Sequence, residues 1–310
     1  MSISRRTLLS RSLGASATLA LASTPVFAAS AALSWLDLGP GLSLVTGAGG
    51  NVLVQSGPKG VALVDGGNAA SSKALLKLIK DKTSNTPSLL FNTHCHRDQI
   101  GSNSTLGKAN ATIIAHENTR LWLTTEIISK WENEVYKPVT ARALPNKTFW
   151  YDNEKLSFNG ETIEYGYLPQ AHTDGDMYVR FPNRDLIMAG GVVAVGAYPL
   201  LDYSTNGWIG GMINSLQQLL TLCYDSTRIF ASEGTEVNKA HVQAQLDMCM
   251  DLADKIATHY YKGGTYTEFL ATKPTAAFDA TWGDPALFLH QAYEGTLPHV
   301  TEIRRYSIRR

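Results

Sequence analysis

The run from Pro87 to Asn103 constrains this 310-residue chain more than any other feature. Pro87-Ser88-Leu89-Leu90-Phe91 is a short apolar stretch of the kind that makes a buried strand. Side chains alternate across a strand, so if the extended geometry persists briefly, His94 and His96 point the same way. Asp98 continues on that side as the chain leaves the sheet. Two imidazoles at i and i+2, followed by a carboxylate, can meet one cation with little loop to close. Cys95, between the two histidines, faces away from them and reads as buried packing. A lone His-x-His pair is a weak signal. His-x-His-x-Asp-x-x-Gly at the end of a strand is a much stronger one.

The stretch Thr93-His94-Cys95-His96-Arg97-Asp98-Gln99-Ile100-Gly101 resembles the Thr-His-x-His-x-Asp-His-x-Gly signature of the metallo-β-lactamase superfamily. Gln99 stands where the family has its last histidine. Further on, His172-Thr173-Asp174-Gly175-Asp176 is similar to the family's second motif, which contributes the third ligand of the first metal site. The resemblance thus implies His94, His96 and His172 as metal ligands. It implies Asp98 as the catalytic group, orienting a water or taking its proton. Asp65, in the turn Asp65-Gly66-Gly67, either supports the metal site from behind or caps the helix that follows.

Two later motifs depart from the pattern. Leu186 to Val193 fits the strand that ends in a metal-bridging aspartate, but Gly191 occupies that position. Arg228 to Gly234 fits the strand and turn that carry a histidine, and Glu233 replaces it. Of the family's second metal site only Asp98 survives unchanged. The first site keeps three neutral imidazoles, the arrangement of a catalytic zinc with an open fourth position, and one zinc ion is expected. The remainder of the second site is oxygen-rich and suits Mg²⁺, Mn²⁺ or Ca²⁺ better than zinc.

The fold implied by the resemblance is α+β, a four-layer αββα sandwich with the metal at one edge between the sheets. The implied function is a zinc-dependent hydrolase: zinc-bound hydroxide attacks the carbonyl of a small-molecule substrate (lactam, ester, thioester or lactone). The alternative is a degenerate member that binds a ligand or partner without turnover. An iron-dependent oxidoreductase is disfavoured, because the family's redox members keep the bridging aspartate that Gly191 replaces.

The chain opens with Arg5-Arg6, an Ala/Leu-rich apolar run and Val26-Phe27-Ala28, the order of a cleavable export signal. The paired arginines point to the twin-arginine route and a periplasmic protein, with residues 1–28 removed. Gly14, Ser16 and Ser23 interrupt the apolar run, which is short for a membrane span. The whole chain balances 27 bases against 27 acids. Loss of Arg5, Arg6 and Arg11 leaves the remainder slightly acidic, with no basic tract for nucleic acid. Three cysteines are too few for a disulfide scaffold. Cys223 and Cys249 can pair in an oxidising compartment, but the odd count and helical surroundings argue against it.

The length fits one metallo-β-lactamase-like domain over 34–236, with a C-terminal helical extension over 237–310 packed on it. Strands are expected over 42–45, 51–55, 61–65, 111–116, 155–158 and 161–168, and helices over 70–82, 208–222 and 238–261. The stretch 117–150 breaks the pattern. It reads as helical around Leu121–Trp131, then loop-like, and it carries Trp122, Trp131, Tyr136, Phe149 and Trp150. Such aromatics either wall a substrate pocket or pack a peripheral helix. The segment Tyr198–Ser204 reads as a loop near the site, and His116, His241, His259, His290 and His299 carry no ligand spacing.

Overall fold

The structure is a computed structural model that describes residues 32–307; the expected export signal lies outside the described residues. The first half builds a sheet from β1 (Ser34–Gly39), β2 (Leu42–Thr46), β3 (Val52–Gly57) and β4 (Gly60–Val64). Helix α1 (Ser72–Thr83), β5 (Pro87–Phe91), α2 (Asn103–Lys108), β6 (Thr112–His116) and α3 (Glu117–Thr124) follow. A small hairpin, β7 (Ile127–Ser129) and β8 (Glu134–Tyr136), precedes β9 (Lys147–Phe149). The second half supplies β10 (Glu154–Phe158), β11 (Glu161–Leu168), β12 (Asp176–Phe181), β13 (Leu186–Gly190), α4 (Ile209–Leu222) and β14 (Arg228–Ala231). It ends in α5 (Lys239–Tyr261), α6 (Tyr266–Ala271), α7 (Asp279–Trp282), α8 (Ala286–Thr296) and α9 (Val300–Ser307).

The strands form a seven-stranded sheet, β1-β2-β3-β4-β5-β6-β9, and a five-stranded one, β10-β11-β12-β13-β14. The period-2 alternation of each strand decides what it faces. In β3, Leu53 points to the other sheet, while Val52 and Val54 meet Leu75 and Ile79 of α1. Between the sheets, Leu53, Phe91 and Ile114 pack against Tyr165, Val179, Met188 and Phe230. On the far face of the second sheet, Ile187 and Ile229 lie under Ile213 and Leu216 of α4, with Leu246 and Ala253 of α5 in the same cluster. Each such fully buried aliphatic or aromatic side chain contributes about 1.5–3 kcal/mol of transfer free energy. The result is the αββα sandwich that the motifs implied.

One expectation is corrected. The helix around Leu121–Trp131 ends at Thr124, because the β-branched residues that follow favour strand. Ile127 and Ser129 of β7 face inward and Ile128 outward, opposite Val135 of β8. As the sequence favoured, Cys223 and Cys249 are not paired: both are free, buried thiols, each inside packed apolar surroundings.

The strand ends gather at one edge. Asp65 N donates to Phe91 O at 2.8 Å, extending the β4–β5 pairing, and Met177 N donates to Thr93 O at 2.9 Å, tying the two sheets together where β5 ends. Ser232 N donates to Gly190 O at 2.9 Å, which brings the ends of β13 and β14 to the same edge.

Candidate metal centre

His94 and His96 leave β5 in a bend, and His172 comes from the turn between β11 and β12. Their ligand nitrogens all lie within 4.8 Å of one another. His94 and His172 are buried, and His96 is partly exposed. The turn that presents His172 is pinned by Asp176, which accepts from His172 N at 2.7 Å and from Thr173 N at 2.8 Å.

Hydrogen bonds fix which nitrogen of each ring faces the others. Thr93 Oγ1 donates to Asp65 Oδ2 at 2.8 Å and so accepts from His94 Nδ1 at 2.9 Å, leaving His94 Nε2 with a free lone pair. His172 Nδ1 donates to Leu200 O at 3.0 Å, and its Nε2 is likewise free. His96 is turned the other way: Nε2 donates to Asp202 Oδ2 at 3.0 Å and Nδ1 faces the cluster. His96 Nδ1 and His172 Nε2 stand 3.0 Å apart. Two lone pairs cannot share that space, so a positive species, a proton or a metal ion, belongs between them.

The electrostatics agree. Burial and the neighbouring imidazoles hold His94 well below its ordinary pKa, and burial takes His172 down to about 3. Burial alone would lower His96, but the hydrogen bond and charge of Asp202 outweigh it and raise its pKa. Burial would raise Asp202, and the same pairing with His96 overrides that and holds it far below the usual carboxylate range. Neutral imidazoles with their second nitrogens fixed are the donor set that suits zinc. The residues present fit that ion.

The second position differs. Asp98 and Glu233 line the same cavity, but Gln99 does not. Its amide donates to Asp98 Oδ2 at 2.5 Å, and its buried Oε1 has no partner. At Gly191 a Cβ would lie 2.2 Å from His172 Cδ2, so the imidazole fills the space that a side chain there needs. Glu233 is exposed at its outer side, and partial desolvation against the cavity wall, then the charge of Asp98, raise its pKa.

The cavity has a volume of about 480 Å³, enough for a small molecule. Ile127, Trp131 and Tyr136 of the hairpin form one wall; Val193, Tyr198 and Leu200 form another. Of the aromatics in 117–150, Trp131 and Tyr136 line it. Phe149 packs between the sheets, Trp122 Nε1 donates to Asp174 Oδ1 at 2.5 Å, and Trp150 is exposed. The loop Tyr198–Ser204 does reach the site. Arg97 donates to Lys137 O at 2.5 Å and stacks over Tyr136, rather than pairing with Asp98. Asp65 bonds both Thr93 N and Thr93 Oγ1, so it acts behind His94, while Ser71 N is capped by Asn68. His116 stacks on Tyr167 with ring centroids 3.8 Å apart, away from the cluster.

Sequence reasoning missed Asp202. It is 3 % exposed and accepts four hydrogen bonds, from His96, Trp131, Ser204 and Thr205. No spacing announces it, because its histidine partner is 106 residues away.

A family model of the metallo-beta-lactamase superfamily matches residues 45–237. Among curated proteins no sequence matches significantly. Among solved structures, a metallo-beta-lactamase from Pontibacter korlensis is 17% identical, with a TM-score of 0.54 over 71% of this chain and 93% of that one. The metallo-beta-lactamase FIM-1 from Pseudomonas aeruginosa, in its mono-zinc form, is 12% identical, with a TM-score of 0.56 over 70% of this chain and 94% of that one. The sec-alkylsulfatase Pisa1 from Pseudomonas sp. is 14% identical, with a TM-score of 0.63; 86% of this chain is covered, but only 50% of that one. At these identities the structures speak for the fold alone. With the family model covering well over half of the chain, the protein belongs to the metallo-beta-lactamase superfamily.

Proposed function

We propose that this protein is a metal-dependent hydrolase with one zinc ion held by His94, His96 and His172, acting on a carbonyl compound that carries an apolar group. One observation carries the proposal: three ring nitrogens converge, and the opposite nitrogen of each ring is already committed to a hydrogen bond. When bound, the ion supplies a Lewis acid that polarises a carbonyl oxygen and brings the pKa of water from ~16 to about 7.

The chain's own residues do the rest. Asp98 lines the cavity beside the cluster, held by the Gln99 amide, and takes the proton of the attacking water before passing it to the leaving group. Ile127, Trp131, Tyr136 and Tyr198 take the apolar part of the substrate. Action in the periplasm after twin-arginine export is part of the same proposal, resting on Arg5-Arg6 and the Val26-Phe27-Ala28 boundary.

The test is metal analysis of protein purified without added metal, followed by a screen of esters, thioesters, lactones and β-lactams. One zinc per chain and turnover of at least one carbonyl class are expected. Metal-free protein that takes up no zinc defeats the proposal. A zinc-loaded protein that turns over nothing leaves a ligand-binding member of the superfamily in its place.

A further inference from the structure

The cavity over the histidine cluster has a sign as well as a shape. Asp98, Glu132, Asp202 and Glu233 line it, and Arg97 is the only lysine or arginine among the lining residues. Four carboxylates against one guanidinium leave three negative charges in excess, and a divalent ion in the cluster offsets two of them. The cations nearby are committed elsewhere. Arg97 donates to Lys137 O and lies over the Tyr136 ring, 5.6 Å from its centroid. Lys137 pairs with Glu126, and Lys130 is exposed and outside the lining.

The acidic side of the rim is also ordered. Tyr136 Oη donates to Glu132 Oε1 at 2.9 Å, and the indole of the preceding Trp131 is held by Asp202 Oδ1 at 3.0 Å. A fixed carboxylate thus stands next in sequence to an anchored aromatic ring, both on the hairpin wall. Ser129, 2 % exposed, lines the same wall, and its hydroxyl has no hydrogen-bond partner among the described residues. A carboxylate, an aromatic face and a neutral acceptor together suit a cation with an apolar surface. The ring and the carboxylate attract its charge, and the apolar walls cover its alkyl groups. An anionic group would meet like charge there.

We propose that the substrate carries an alkylated ammonium group beside its scissile carbonyl, seated against Glu132 and Trp131 of the hairpin. The inference rests on the reading of the protein as a carbonyl hydrolase, and it narrows the apolar group of that reading to a cationic one.

The probes are choline and the uncharged alcohol in which a carbon replaces the nitrogen of choline. Their Kd values are read by ligand-observed nuclear magnetic resonance on zinc-loaded wild type, E132Q and D152N. Wild type should bind choline at least about fivefold more tightly than the alcohol, the worth of one cation–aromatic contact and one surface ion pair. E132Q keeps the size of the side chain and an acceptor for Tyr136 while removing the charge. Its preference should fall to about twofold or less, with affinity for the alcohol unchanged. Asp152 is exposed and outside the lining, so D152N makes the same change in net charge and should keep the preference. Equal binding of the two probes by wild type overturns the inference, as does a preference that E132Q retains or that D152N also loses. These results leave the hydrolase reading standing, because zinc content and turnover are measured separately. A wild type that takes up no zinc or turns over no carbonyl compound defeats that reading instead, and the order of the probes, which needs no turnover, still decides whether the cavity selects a cation.

Discussion

The two halves of the cavity floor descend from one motif set but are built differently. Around His94, His96 and His172, every ring has a dedicated partner on its far side: Thr93 backed by Asp65, Asp202, and the carbonyl of Leu200. Around Asp98 and Glu233, nothing converges in that way. Glu233 is exposed, Gln99 is turned behind Asp98, and Gly191 has surrendered its side-chain space to the His172 ring. A metal ligand costs conformational freedom unless its orientation is already fixed. The first half meets that condition and the second does not. One centre is preorganised for a cation, while the other offers charge and open room to whatever lies beside it.

The widest difference between the halves should come from their own members. His172→Ala removes one of three ligands and should abolish zinc uptake, measured by metal analysis after dialysis. Retention of a full equivalent would show that the cluster is not the binding site. Asp98→Asn, on the other side, should keep its zinc and lose about 10²–10⁴ in kcat, the usual worth of a positioned general base. The substitution preserves size and removes only the charge. Unchanged turnover would mean that another group handles the proton, with Glu233 the first suspect.

The same contrast explains what could be read in advance. His94, His96 and His172 sit in short local motifs, and the strands around them follow from alternation, so the fold and the cluster were legible. Asp202 was not, because its role exists only once β13, the hairpin and the β5 bend have come together. Trp131 is half legible: its aromatic stretch fits either a pocket wall or a packed helix, but the helix ends at Thr124 and Trp131 falls in the hairpin. Gly191 was legible as a loss of an aspartate. That the His172 ring occupies the vacated volume depends on a contact between β13 and the β11–β12 turn, which no single motif contains.

That contact can be tested by refilling it. In Gly191→Ala the added methyl would sit 2.2 Å from His172 Cδ2, far inside van der Waals contact. The ring must move away from its hydrogen bond with Leu200 O, or the strand end must shift. Zinc affinity should therefore drop by about tenfold, comparable to loss of an outer-shell partner, with the helices and sheets intact by circular dichroism. Affinity equal to wild type would show that the ring has room to spare, and that Gly191 is not what shapes the three-histidine centre.

The smallest effect is expected at Glu233, and it bears most directly on the difference between the halves. If the second half is an open acidic surface, Glu233→Gln should leave zinc stoichiometry at one and shift zinc affinity by no more than about twofold, since solvent and salt screen an exposed charge. The carboxylate lines the same cavity as the cluster but has no hydrogen-bonded partner to hold it toward the ring nitrogens. If it were instead a metal ligand, neutralising it would remove a donor, and the loss would approach that of a histidine. Calorimetric titration of the metal-free variant distinguishes the two. A second zinc in wild type that disappears in Glu233→Gln would make the halves equivalent after all, with Asp98 and Glu233 bringing a second ion into a site that Gly191 no longer bridges.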